Sequence, residues 1–338
     1  MLDLPRLLSI RLEARPRVQR FVAWTVLFPN YAPPGRVEIQ LEGVERLPAE
    51  SVIFAMNHTD RFNYWPFQYQ LYRQLNRFTA TWVKGKYYEN AFVGRFMEMT
   101  NNIPTVSRGY LITKDFILSQ GRKPSDQEYE ILRGWVDGAS TDSSLATDPS
   151  RLCDTSKLPD KLVNQARDSL GLRFEPSEQS YAQFINSLFT RMMARFTELN
   201  VETFDKGLDL LVFPQGTRSK QLSKGHIGLM QIALKYKKTI VPVGCNGSDK
   251  LYPGSSPFAK PGQVTYRIGE PITYADLAGY HIAEDYVPFS AEAEAKHRVK
   301  FQGAVDVVMD RINDLLDPEY QYSDDKRPTG VSGAKRFV

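Results

Sequence analysis

The chain has 338 residues, enough for two average domains or one large α/β domain with insertions. Charged residues make up 24% and hydrophobic ones 42%, so a sizeable core can form and disorder as the main state is excluded. Forty-three Lys and Arg against 39 Asp and Glu leave a net charge of +4, far short of a dedicated nucleic-acid binder; anion contacts must come from local basic patches.

Cys153 and Cys245 are the only cysteines and form no CxxC motif, which suits a reducing compartment. The four histidines, His58, His226, His281 and His297, share no zinc-like spacing with them, so no metal site is expected. The longest near-continuous apolar run, Phe21 to Phe28, spans roughly 12 Å as a helix against a hydrocarbon layer of about 30 Å, so no segment is expected to cross a bilayer. Arginines fill the place where the apolar part of a secretory signal would lie.

In chain order, residues 1–35 come first. Arg6, Arg11, Arg15, Arg17 and Arg20 interleave with Leu7, Leu8, Ile10, Leu12, Phe21, Trp24 and Leu27. Two short helices broken near Pro16 would each carry an apolar face edged by arginine, as a membrane-surface segment does; helices packed on the core fit the same pattern. Pro33-Pro34-Gly35 ends the segment. Val37-Glu38-Ile39-Gln40-Leu41 alternates as a half-buried strand, and Ser51 to Met56 is a continuous apolar run of buried-strand length. A helix over about Tyr64–Asn76, the apolar run Phe78–Val83 and a strand-like Ile103–Val106 follow. Residues from about 118 to 180 are rich in Ser, Asp, Gly and Pro and predict loops around short helices; with the apolar helix face from Phe184 to Leu199 they form a largely helical insertion over about 118–200. Leu208–Phe213 predicts a strand, Gly228–Lys237 a helix, Thr239–Val243 a strand and Ala291–Leu316 a closing amphipathic helix. From Pro318 a flexible tail is expected. Alternating strands and helices give an α/β class, a mixed central sheet flanked by helices, with sites at strand ends.

Two constellations leave buried strands. Asn57-His58-Thr59-Asp60-Arg61-Phe62-Asn63-Tyr64-Trp65-Pro66-Phe67 places a histidine where it can act as a general base, although a core histidine bonded to backbone fits as well. Phe213-Pro214-Gln215-Gly216-Thr217-Arg218-Ser219 offers backbone amides, two hydroxyls and a guanidinium, the parts that hold a phosphate; Lys220 and Lys224 are near enough in sequence to add charge. Two weaker runs, Ile103-Pro104-Thr105-Val106-Ser107-Arg108 and Val241-Pro242-Val243, carry little alone.

Their order resembles the glycerolipid acyltransferase family, which includes the 1-acyl-glycerol-3-phosphate acyltransferases. The resemblance covers roughly residues 36–112 and 200–275: Asn57-His58 opens the first of four blocks, Arg108 ends the second, Phe213–Ser219 form the third and Val241-Pro242-Val243 the fourth. It implies transfer of a fatty acyl group from a thioester donor (acyl-CoA or acyl carrier protein) to a hydroxyl of a glycerophosphate or lysophospholipid, without a cofactor. The implied setting is cytoplasmic, peripheral on the inner face of a membrane, with the membrane surface, acyl donor and phospholipid acceptor as partners and no nucleic acid. His58 would be the base; Arg218, Thr217, Gly216 and Gln215, with Arg108, would bind the acceptor.

Two acidic positions of the pattern are amides. Asn63 stands where the family has Asp, Gln215 where it has Glu, and Asp60 where it has Ser. In the serine-protease case a comparable carboxylate-to-amide change lowers kcat by about 10⁴. Three readings stay open: Asp60 replaces the missing carboxylate, or the fold persists as a catalytically impaired lipid-binding member, or the amides are deliberate isosteric replacements, against which the changed serine speaks. Asp60 also fits a helix N-cap.

Overall fold

The computed structural model describes residues 1–32, 37–141 and 154–323. Among these residues seven strands form one sheet: β1 (Val37–Glu42), β2 (Ile53–Met56), β3 (Thr79–Lys84), β4 (Asn102–Thr105), β7 (Asp209–Val212), β8 (Ile240–Asn246) and β9 (Gly262–Ile268). Their order is β1-β9-β8-β2-β7-β3-β4. All neighbours run parallel except β8 and β9, so the sheet is mixed. A hairpin of β5 (Arg167–Ser169) and β6 (Leu172–Phe174) stands apart from it.

The central strands are buried on both faces, which is why they read as continuous apolar runs. Their period of two divides the core: Ile53, Ala55, Leu210 and Val212 face one cluster, Phe54, Met56 and Leu211 the other. The first cluster packs under α1 (Leu4–Ser9), α6 (Arg108–Gln120), α7 (Asp126–Thr141), α9 (Tyr181–Asp205), α10 (Gly228–Lys235) and α12 (Ala291–Asp314). The second lies under α2 (Arg17–Val22), which runs through a π-helical turn into α3 (Phe28–Tyr31), with α4 (Trp65–Leu75) and α11 (Ser248–Leu251). The fold is therefore a helix–sheet–helix sandwich, an α/β molecule as the sequence predicts. The remaining helices, α5 (Ala91–Met99) and α8 (Asp160–Asn164), join β3 to β4 and α7 to β5.

The ends and the insertion differ from expectation. Leu2, Leu4, Leu7, Ile10 and Leu12 are buried in the main core, so the first amphipathic helix spends its apolar face inside the protein. On the following helix, Phe21, Trp24 and Phe28 stay exposed. The insertion carries helices of 16 and 25 residues in α7 and α9, longer than its loop-rich composition suggests, because each buries a stripe against the other. The start of the expected tail is packed: Tyr320 is 1% exposed, its carbonyl accepts from the Leu222 amide at 2.9 Å and its hydroxyl donates to Asp249 at 2.7 Å. Residues 324–338, the Pro33-Pro34-Gly35 break and Cys153 lie outside the described residues. No helix among those described is long and apolar enough to cross a membrane.

Candidate functional site

Because β2 and β7 are parallel neighbours, the segments leaving them emerge at one edge of the sheet, the edge where open α/β sheets hold ligands. Asn57 follows β2 and continues its pairing with side-chain atoms. Its Nδ2 donates to the Cys245 carbonyl at 2.9 Å, and its Oδ1 accepts from the Cys245 amide at 2.7 Å. That clamp fixes the next residue, His58. The His58 amide donates to Gln215 Oε1 at 2.9 Å, and the His58 carbonyl accepts from the Ser219 amide at 2.9 Å. The two sequence constellations are thus bonded to each other through main-chain groups.

The imidazole stacks on Phe213, with ring centroids 4.2 Å apart and 20° between planes. Its Nδ1 meets Asn63 Oδ1 at 3.0 Å. The other amide atom of Asn63, Nδ2, lies 2.8 Å from the Asn57 carbonyl, which can only accept, so the oxygen must face the ring. Nδ1 therefore carries the proton, and Nε2 is left with its lone pair. Burial, opposed by the Asn63 hydrogen bond and reinforced by the positive charges of Arg218 and Lys84, pushes the His58 pKa down to about 3. The ring is neutral at any ordinary pH, ready to accept a proton but a weak base.

Of the two candidate partners for that ring, Asn63 makes the contact and Asp60 does not. Asp60 Oδ1 accepts from the Phe62 amide at 2.8 Å and Oδ2 from the Thr59 hydroxyl at 3.0 Å, the turn-forming use of a short acidic side chain. Burial raises its pKa against those donors.

Gln215 lies beneath the loop rather than on its surface. It is 1% exposed, and while Oε1 holds the His58 amide, Nε2 donates to the Ser223 hydroxyl at 3.2 Å. It positions His58 and leaves no group for a ligand. Gly216 adopts φ +65°, and a Cβ there would lie 2.8 Å from His226 Cδ2, so the turn needs glycine on both counts. The Thr217 hydroxyl is shielded from solvent with no hydrogen-bond partner among the described residues, an orphan of the kind a ligand oxygen satisfies. Arg218 is exposed beside it. Lys220, by contrast, is spent on Glu319 at 2.8 Å.

Arg108 begins α6 after β4, but its Nε donates to Asn186 at 2.7 Å and its guanidinium lies 4.3 Å from the Phe189 ring centroid, which ties it to α9. Two neighbours of the site escaped sequence reading. Lys84 ends β3, the other neighbour of β7, a placement that only the strand order reveals. His226, drawn in by its amide's 2.8 Å bond to the Pro214 carbonyl, gives no local sequence signal. Tyr64, part of the first constellation, packs on Phe213 with centroids 6.1 Å apart. Tyr64 also lines a cavity with Trp65, Tyr69, Val22, Ala23 and Leu27, between α4 and the N-terminal helix. Among the described residues no group of three or more His, Cys, Asp or Glu is placed to hold a metal ion.

No family model and no curated protein matches the chain. Among solved structures it is similar to one described as the crystal structure of the 1-acyl-sn-glycerophosphate (LPA) acyltransferase, PlsC, from Thermotoga maritima. That likeness has 14% identity and a TM-score of 0.38 and covers 92% of this chain and 87% of that chain. At that level it carries no argument, and the functional reading rests on this chain's own residues.

Proposed function

We propose that the chain is a membrane-surface O-acyltransferase, moving a fatty acyl group from a thioester to a hydroxyl of a glycerophosphate or lysophospholipid. The observation that carries this is the unprotonated Nε2 of His58, oriented by Asn63, in one strand-end site with the Gly216-Thr217-Arg218 turn. His58 Nε2 takes the proton of the acceptor hydroxyl as its oxygen attacks the thioester carbonyl; the carbon–sulfur bond breaks and the proton passes to the leaving thiolate. Thr217 and Arg218 hold the acceptor's phosphate, and Asn63 and Gln215 position the base. The donor is acyl-CoA or an acyl carrier protein. The exposed Phe21, Trp24 and Phe28, with nearby arginines, suit contact with an anionic lipid surface, and the cavity lined by Tyr64 lies between that helix and the site.

A labelled acyl donor with lysophosphatidic acid tests the reading: turnover is expected, and His58→Ala should lower it by a factor of about 10² to 10⁴. The second reading, a lipid-binding member without catalysis, is favoured by the absence of a carboxylate on Nδ1. Saturable binding of both substrates without turnover decides for it.

A further inference from the structure

Among the described residues, no carboxylate is bonded to the His58 ring. Its Nδ1 has an amide where a carboxylate would strengthen the base, and Asp60 is committed to Phe62 and Thr59. The other described groups that the fold brings to it are neutral or basic. Arg218 belongs to the loop pinned by the Ser219–His58 bond, and Lys84 closes β3, the strand next to β7. Tyr64, kept protonated by burial that pushes its pKa to about 12, packs on Phe213, and His226 borders Gly216. Both cations act against protonation of the ring. An anion held at the Thr217-Arg218 turn would oppose that effect, since an opposite charge nearby favours the charged form of a base.

We propose that the acceptor's own phosphate, seated on the Thr217-Arg218 turn that the Ser219–His58 bond holds against the histidine, supplies the negative charge that Asn63 does not, so that the substrate completes the base that deprotonates it. This rests on the acyltransferase reading above. The phosphate then serves two ends. It holds the acceptor, and it stabilises the imidazolium formed when the hydroxyl proton moves to Nε2. Acceptors without a phosphate are rejected in kcat as well as in KM, a selection that a site with its own carboxylate at position 63 does not need.

The full chain tests this with a probe independent of turnover. The ring-proton NMR signal of His58 is followed from pH 8 to 4.5, with saturating inorganic phosphate or with chloride at equal ionic strength. In chloride the signal should stay flat; in phosphate the titration midpoint should rise by about two pH units or more, into the window, and Arg218→Gln should abolish the response. Absence of saturable phosphate binding overturns the proposal, as does phosphate that binds while the His58 signal stays flat. In turnover, Asn63→Asp should narrow the kcat ratio between lysophosphatidic acid and monoacylglycerol about tenfold or more; an unchanged ratio also overturns it. A His58 that responds to phosphate in a chain that transfers to no acceptor keeps the charge coupling and removes the acyltransferase reading.

Discussion

An amide can replace a carboxylate beside a histidine in two ways, and the difference lies in which atom faces the ring. If the NH2 group turns inward, the ring is forced into the wrong tautomer, and this accounts for the loss of about 10⁴ in the serine-protease case. Here the Asn57 carbonyl holds the Asn63 NH2 group at 2.8 Å, so the oxygen faces Nδ1 and the useful tautomer survives. What is lost is charge alone. Gly216 shows the opposite economy, where one atom is too many. Gly216→Ala places a Cβ at positive φ and against His226, a strain of about 1–2 kcal/mol in chemical denaturation. Because the displaced turn carries Arg218, steady-state kinetics should show a larger rise in acceptor KM than fall in kcat. Equal effects on both would mean that the turn does not position the acceptor.

At the scale of elements, the site exists because β3, β7 and β2 end at the same edge with residues able to do chemistry just beyond each end. The N-terminal segment divides at this scale. Helix α1 is core, with Leu4 and Leu7 buried, whereas the face of the next helix that bears Phe21, Trp24 and Phe28 is open. Each buried leucine contributes roughly 1.5–3 kcal/mol. Deleting residues 1–12 should therefore lower the thermal midpoint sharply. The combined Phe21→Ser, Trp24→Ser, Phe28→Ser variant should lose co-sedimentation with anionic vesicles at a nearly unchanged midpoint. Full vesicle binding by the triple variant would remove the surface-contact reading.

At the scale of the whole molecule, the buried neutral histidine links folding to pH. The unfolded chain takes up a proton at His58 near pH 6.5, while the folded one resists until about 3, so the unfolded state binds more protons across that window. Stability from this group is present above about pH 6.5 and is lost as the pH falls toward 3. Because the residue as a whole is half-buried, the loss is discounted for solvent screening to at most about 2 kcal/mol by pH 4. Urea denaturation at pH 7 and pH 4.5 should show it, and His58→Gln should lose less stability over that interval than the natural chain. The packing of Tyr320 against Leu222 and Asp249 also belongs to this scale, because it joins the chain's last described turn to the loop that follows the site.

The sequence by itself determined the α/β class, through apolar runs of strand length alternating with helical periodicity, and it pointed to His58 and to the Gly216-Thr217-Arg218 turn, because strand ends followed by reactive side chains are legible locally. It left the choice between Asp60 and Asn63 open, since both lie within one turn of His58 and only the direction of each side chain separates them. It also missed Lys84 and His226, and it read the packed Pro318–Ser323 stretch as tail. Those were decided by tertiary structure: strand order is a long-range property that local pattern does not encode, and a side chain's partner depends on which donors and acceptors the folded backbone brings within about 3 Å of it.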